Sequence, residues 1–299
     1  MITLTTANNA LKDVYLGVLS NQLNDNIDCV LGKIAQTTSD VRGKEIIVLT
    51  YINGKQYQLK SELANIYGKV EISDKAIRAS QNSAGAFVNL LNDEIEQLML
   101  NTSRQITNAF YGEDKPHEYM TEQEKKAYKP LVFNGLRYLF DDKEKLLYGV
   151  DRQEIKPITK TISKFDDASI QEIIDDCNED VNFIICSQKT KRQYQEYLNN
   201  NHRNIELIEM NGDFKCIAFN GIIPIVANKN VPDNEIYLIN TDDFKLHQLC
   251  DWRWIEGEDG SVLRQVPSKP IYSAQLVKYA NYICEQPQKQ IKVIIGETK

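Results

Sequence analysis

KEIIVLTYINGKQYQLKSEL, residues 44–63, reads as two strands folded about the dipeptide Asn53-Gly54. Asn-Gly between strand-like runs is the strongest short-range hairpin signal, because both central residues of a type I′ turn need positive φ. In the second half Lys55, Tyr57 and Leu59 alternate with Gln56, Gln58 and Lys60, so the ribbon has two unlike faces. A two-stranded hairpin alone is marginal in water. This one must lean on something.

On its C-terminal side, KVEISDKAIRAS (69–80) leads into a helical segment from about Ser83 to Tyr111. There Phe87, Leu90, Leu91, Ile95, Leu98, Met99, Ile106 and Phe110 keep near-3.6 spacing, polar residues take the other faces, and Gly112 follows as a stop. Such a helix is about 40 Å long, longer than the globular average, and suits a spine. On the N-terminal side, residues 8–36 carry Leu11, Val14, Val18, Leu19, Leu23, Val30, Leu31 and Ile34 in an approximate helical stripe, an amphipathic arm.

Residues 113–165 are polar and irregular, with LVFNGLRYLF (131–140) and ITKTI (158–162) as short strand candidates. From Asp166 the texture becomes helix, strand, helix, strand: SIQEIIDDC, VNFIIC, SQKTKRQYQEYL, then strand runs about Asn211-Gly212 and Asn220-Gly221, and EIYLIN. This predicts a compact α/β unit with hairpins at one end. Within FNGIIPIVANKNVP (219–232), Pro224 has no N–H to give a neighbouring strand, which predicts a sheet edge or a bulge. DDFKLHQLCDWRWIEGEDG, AQLVKYANYICEQP and IKVIIG add strand-like runs to the end of the chain.

The 299 residues carry a net charge of −7, which argues against a dedicated nucleic-acid binder, since phosphate neutralisation needs clustered Lys and Arg. No run reaches the roughly 18 apolar residues of a membrane span, and MITLTTANNALKDVY lacks a signal-peptide pattern, so a cytoplasmic, membrane-free protein is expected. The six cysteines lie far apart with no Cys-x-x-Cys pair, as small hydrophobes would.

The search for catalytic, cofactor-binding and metal-binding residues finds none. Ser187 follows a buried strand and opens a helix, but the glycines of a nucleophile elbow are missing and an N-cap accounts for it. His117, His202 and His247 have no partner at motif spacing, and the acidic clusters at 166–167, 175–180 and 256–259 read as solvated charge at helix ends and turns. Trp252 and Trp254 share one side of a strand with Arg253 opposite, which reads as core or subunit contact ahead of a base-stacking platform. No phosphate loop is present.

An arm, a hairpin needing support, a long helix and an α/β unit suit a building block. The chain resembles the major capsid proteins of tailed bacteriophages with the Hong Kong 97 type fold, particularly those of Firmicutes phages. The resemblance is carried by ALKDVYLGVLSNQLN and KIAQTTSDVRGKEI, by ISDKAIRASQNSAGAFVNLLNDEIEQL, by VNFIICSQKTKRQYQEYL, by FNGIIPIVANKNVPDNEIYLINTDDFKLHQLCDWRWIEGEDG and by YSAQLVKYANYICEQPQKQIKVIIG.

The resemblance implies an α+β fold with an N-terminal arm (1–39), an extended hairpin loop (40–68), a peripheral domain with its spine helix (69–165, spine 83–111), an axial domain (166–245) and a return to the peripheral domain (246–299). It implies pentamers and hexamers of the chain itself, with Tyr51, Asn53, Gly54 and Tyr57 of the hairpin and Pro224 as candidate subunit contacts. Portal, scaffold and head-completion proteins are the expected partners, and packaged DNA is touched only by weak nonspecific contact. The protein would be made in the bacterial host cytoplasm and end in the virion capsid. The arm begins within about ten residues of Met1, which implies a separate scaffold or another assembly route. Nothing local marks Lys44, Lys55 or Lys60 as reactive, so no intersubunit crosslink is expected. An encapsulin-like compartment shell and a cytosolic α/β enzyme remain as alternatives.

Overall fold

The computed structural model describes residues 4–25, 27–35, 38–80, 83–112, 125–126, 131–177, 180–203, 205, 207–210 and 214–296. The arm consists of α1 (Leu4–Asn9), a π-helical turn (Ala10–Tyr15), α2 (Leu16–Asp25) and α3 (Cys29–Ala35). Strand β1 (Ser39–Asp40) precedes the ribbon, β2 (Glu45–Ile52) and β3 (Lys55–Glu62), which is followed by β4 (Ala64–Ser73), α4 (Asp74–Ser80) and the spine α5 (Ala84–Tyr111). Next come α6 (Leu136–Phe140), β5 (Leu146–Leu147), β6 (Val150–Asp151), α7 (Arg152–Ile155) and β7 (Ile158–Ile162). The α/β unit holds α8 (Asp167–Cys177), β8 (Phe183–Cys186), α9 (Gln188–Asn200), β9 (Leu207–Met210), β10 (Phe214–Phe219), β11 (Ile223–Ala227) and β12 (Glu235–Ile239). The chain closes with β13 (Phe244–Trp254), β14 (Arg264–Gln265), β15 (Ile271–Cys284) and β16 (Ile291–Ile295).

Two sheets organise the molecule. In the first, the 14-residue β15 pairs antiparallel with β4 along one edge and with β13 and then β14 along the other, and β1 adds to β13. Strand β4 alternates buried and exposed residues along its whole length, and its buried set, Ile66, Gly68, Val70 and Ile72, faces the spine. A Cβ on Gly68 would sit 2.8 Å from Thr102 Oγ1, so the close approach of helix to strand requires glycine there. The spine begins where its sequence predicts: Ser83 Oγ accepts from Ala86 N at 3.3 Å, an N-cap. Phe87, Leu91, Ile95, Leu98, Ile106 and Phe110 form its buried stripe.

The arm is not a free tail. Its π turn, looser than an α turn, lines up Ala7, Leu11, Leu19 and Leu23 at multiples of four residues into the core and leaves Val14 and Val18 outside. Both tryptophans of β13 are buried and hold it: Trp254 Nε1 donates to Leu11 O at 2.8 Å and Trp252 Nε1 to Asn24 Oδ1 at 3.1 Å. Lys278, 3% exposed, donates to Asn24 Oδ1 at 2.8 Å and to Asp251 Oδ1 at 3.1 Å, with its ammonium 5.8 Å from the Trp252 ring centroid. The core reading of the tryptophans holds.

The second sheet runs β7-β16-β12-β8-β11-β10-β9. It extends beyond 166–245, because Ile291–Ile295 inserts between Ile158–Ile162 and Glu235–Ile239 and so returns to this sheet rather than to the first. The edge position expected for Pro224 is also wrong. Strand β11 is interior, between β8 and β10, and Pro224 is buried. Pro224 faces Ala218 of β10, and the parallel ladder to β8 starts one residue later at Ile225↔Ile184, so the missing N–H falls before that ladder begins. LVFNGLRYLF is likewise not a strand: residues 136–140 form α6, because Gly135 crosses the spine where a Cβ would lie 2.1 Å from Phe110 O and the chain turns there. The faces of the second sheet belong to different cores: Phe183, Ile185, Val226 and Tyr237 join the main core, while Ile184, Ile217, Ile225 and Ile236 pack with Phe165, Ile170 and Tyr194.

Breaking a buried ion pair from its more exposed side strands the buried partner. Asp251→Ala should therefore destabilise the chain by about 2 kcal/mol in urea unfolding, a value discounted because Asp251 is half exposed. Lys278→Met, which keeps the volume and removes the buried charge, should fall within about 1 kcal/mol of the parent chain in the same measurement.

Candidate functional site

The ribbon and its mount form the candidate site. Asn53 and Gly54 have φ of 51° and 76°, the positive values that a type I′ turn needs, and β2 pairs with β3 in unbroken register from Glu45↔Glu62 to Ile52↔Lys55. Pleating then separates the faces. Ile46, Thr50, Ile52 and Leu59 are buried inward. On the outer face Ile47, Leu49 and Tyr51 form one row, 54%, 63% and 67% exposed, beside Lys60, Gln58 and Gln56 of β3.

The mount is polar as well as apolar. Thr50 Oγ1 donates to Glu285 O at 2.9 Å, and Gln286 Nε2 donates to Thr50 Oγ1 at 3.0 Å and to Tyr51 O at 3.2 Å. Lys60 N donates to Tyr148 O at 2.8 Å. Tyr148 and Gly149, at φ 51° and 79°, make the turn between β5 and β6. The Tyr148 ring is buried, and its hydroxyl accepts from Cys284 N at 3.2 Å, which offsets the strain of a left-handed tyrosine. Arg152 fastens the same platform: its buried guanidinium donates to the carbonyls of Leu139 (2.7 Å), Glu144 (3.0 Å) and Tyr138 (3.2 Å), so it caps the C-terminal end of α6.

The candidate contact residues thus occupy three environments. Tyr51, Asn53 and Gly54 lie on the exposed face and tip of the ribbon. Tyr57 is half-buried against the core, and its hydrogen bond to Glu154 pushes its phenol pKa up. Pro224 lies in the interior of the other sheet, and the structure does not bring it to the ribbon. Of the outer row the sequence singles out Tyr51 but not Ile47 or Leu49, although the alternation of all three with Ile46, Val48 and Thr50 carries the signal.

The residues screened for chemistry have structural positions. Ser187 is an N-cap, accepting from Thr190 N at 3.2 Å, and burial pushes the neighbouring Cys186 thiol up to about 12. His202 is exposed, and His247 is buried, its pKa lowered by that burial; His117 lies outside the described residues, as does the Asn211-Gly212 turn. Asp167 departs from the solvated-charge reading: it is buried and pairs with Arg203 and the Tyr194 hydroxyl, because the start of α8 packs against α9. Among the described residues no cluster of His, Cys, Asp and Glu could hold a metal ion, and no helix is long and apolar enough to cross a membrane.

A family model described as "SU10 major capsid protein" matches residues 66–260, more than half of the chain. No curated protein matches. Among solved structures, the capsid of cyanophage A-1(L) superposes with a TM-score of 0.61 at 12% identity, covering 89% of this chain and 92% of that one. The SrpI encapsulin of Synechococcus elongatus PCC 7942 gives 0.56 at 10% identity, covering 87% and 85%. The satellite phage P4 procapsid gives 0.53 at 12% identity, covering 94% and 99%. The fold is thus the α+β capsid fold of the Hong Kong 97 type.

The two faces of the ribbon should respond differently to truncation. Leu59→Ala should cost about 3 kcal/mol in chemical unfolding, since it empties a fully buried site. Tyr51→Ala should stay within about 0.5 kcal/mol of the parent chain.

Proposed function

This chain belongs to the SU10 major capsid protein family, and from that premise we propose that it builds the icosahedral head of a tailed double-stranded DNA phage or prophage from rings of five and six copies. It is a major capsid protein, and its family is a structural one. The observation that carries the contact assignment is the outer row of the ribbon, Ile47, Leu49 and Tyr51, which the chain builds, braces from behind and leaves uncovered.

A sister subunit is the occupant that suits this row. Burying each side chain contributes roughly 1–2 kcal/mol, too little to trap a malformed ring and enough when many copies act together. A heterologous contact of this kind closes only at the right rotation, so ring size is set by the angle at which the ribbon meets its neighbour. In this reading residues 40–68 are the extended loop, 69–157 with the spine the peripheral domain, and the seven-stranded sheet, β7 and β16 included, the axial domain. The net charge of −7 suits a container wall that touches packaged DNA weakly. Portal, scaffold and head-completion proteins would complete the head, synthesis would take place in the host cytoplasm, and the chain would carry no catalysis of its own.

The likeness to an encapsulin favours one second reading, a compartment shell filled with protein cargo. Nuclease-protected DNA in particles from the native source supports the phage head, and co-purified cargo protein with a docking tail supports the compartment.

Size-exclusion chromatography and negative-stain imaging of the purified chain should give shells or rings; a stable monomer overturns the proposal. Leu49→Asp should abolish assembly while shifting the thermal midpoint of the subunit by no more than roughly 2 °C.

A further inference from the structure

Four Asn-Gly dipeptides punctuate the chain, at 53–54, 134–135, 211–212 and 220–221. This dipeptide is open to attack of the backbone on the side-chain amide, because glycine carries no Cβ to shield its own nitrogen. The fold holds three of the four in unlike surroundings, and Asn211-Gly212 lies outside the described residues. Asn134 is buried: its Nδ2 donates to Ser61 Oγ at 2.5 Å and its N–H to Asn281 Oδ1 at 3.0 Å. Asn220 is exposed at the turn between β10 and β11, but its Nδ2 donates to Gln171 Oε1 of α8 at 2.8 Å. Asn53 is exposed at the ribbon tip. Among the described residues nothing holds its side chain or the Gly54 N–H, and a Cβ on Gly54 would meet no atom within 4 Å.

The two exposed turns are alike in backbone: φ is 51° and 76° at Asn53 and Gly54, and 48° and 70° at Asn220 and Gly221. They differ in what restrains them. Asn220 is tethered to a helix, and its turn joins two strands of the seven-stranded sheet. Asn53 closes a ribbon of two strands whose last pair is Ile52↔Lys55.

We propose that Asn53 is a self-modification site, at which the chain converts its own ribbon tip to a carboxylate while Asn134 and Asn220 keep their amides. The Gly54 nitrogen loses its proton to hydroxide and bonds to Asn53 Cγ. The Cγ–Nδ2 bond breaks, ammonia leaves, and a five-membered imide remains. Water then adds to one of the two imide carbonyls and the C–N bond at that carbon breaks. Opening at Cγ gives aspartate, and opening at the Asn53 carbonyl carbon gives isoaspartate. In sum one amide and one water become one carboxylate and one ammonium, with no oxidation or reduction.

Both products add a negative charge to the tip. Aspartate before glycine still suits a type I′ turn, whereas isoaspartate puts one extra main-chain atom into a two-residue turn, which opens the Ile52↔Lys55 pair first. The reaction stands on the geometry of one chain, so its test is separate from that of assembly.

The full chain, collected as subunits by size-exclusion chromatography, should be aged in warm, mildly alkaline buffer and sampled by peptide mass mapping, with isoaspartyl methyltransferase labelling to tell the two products apart. The 53–54 peptide is expected to convert at least about tenfold faster than the 220–221 peptide, and the 134–135 peptide to keep its amide. Gln171→Ala should bring Asn220 to within about threefold of Asn53 and leave the Asn53 rate unchanged. In urea all four dipeptides should convert at similar rates, since each Asn is followed by the same residue. Equal rates at Asn53 and Asn220 in the folded parent chain would overturn the proposal. An Asn53 that stays intact when folded but converts in urea would overturn it equally.

Discussion

Strand β15 sets the terms for the rest of the molecule. Its backbone groups must be satisfied on both edges, and it meets β13 along Phe244–Trp254 and β4 along Ala64–Ser73. Ala280 has a partner on each side, Gln248 and Ala64. From that pairing the remaining placements follow: β4 brings the spine onto the sheet, and β13 presents Trp252 and Trp254 to the arm. The C-terminal end of β15 delivers Glu285 and Gln286 to the ribbon.

At the junction with the second sheet Phe140 of α6 meets Tyr237 of β12 at 5.2 Å between ring centroids, and an aromatic cluster closes the end of the spine on the first sheet. Phe110 at the end of the spine meets Tyr111 at 5.1 Å, Tyr282 at 5.0 Å and Phe244 at 6.3 Å between centroids, all edge-on, and Phe133 meets Tyr282 at 5.2 Å. Rings in edge-to-face contact resist sliding more than aliphatic packing does, because the favourable quadrupole geometry is narrow. The main core continues through this cluster under one face of the seven-stranded sheet. The main core thus joins the two sheets, and the arm (Leu11, Leu19, Leu23, Leu31) and the ribbon (Ile46, Ile52, Leu59) are anchored in that same core.

What was legible in the sequence was local. The Asn53-Gly54 and Asn220-Gly221 turns, the Ser83 and Ser187 caps and the limits of the spine each depend on a few adjacent residues, and each is found in the structure. What was not legible depended on strand order and on contacts made at long range. Pro224 can be tolerated inside a sheet when one ladder starts just beyond it, and nothing near residue 224 tells where a ladder starts. IKVII reads as a strand without saying which sheet receives it. LVFNGLRYLF is a short apolar run, which periodicity alone cannot divide between strand and helix; the spine crossing at Gly135 decides it. At the candidate site the ribbon was legible and its mount was not, since Tyr148, Arg152 and Gln286 reach it only through the fold.

In the proposed head, the division between braced and exposed surfaces would let one chain serve rings of different size. A subunit that bent in its cores would lose packing at every bend, since interiors are close-packed and tolerate little displacement. The adjustment must therefore fall on elements whose inner face is fixed and whose outer face is free. The ribbon meets that condition: Ile46, Ile52 and Leu59 hold it from within, and Ile47, Leu49 and Tyr51 are exposed. Apolar contact is nondirectional and so tolerates a range of angles, whereas the hydrogen bonds from Thr50 and Gln286 on the inner side do not. Directional bonds face the chain's own platform and nondirectional contact faces outward. In the proposed shell that ordering would let the same row meet a neighbour at slightly different angles without disturbing the core beneath it.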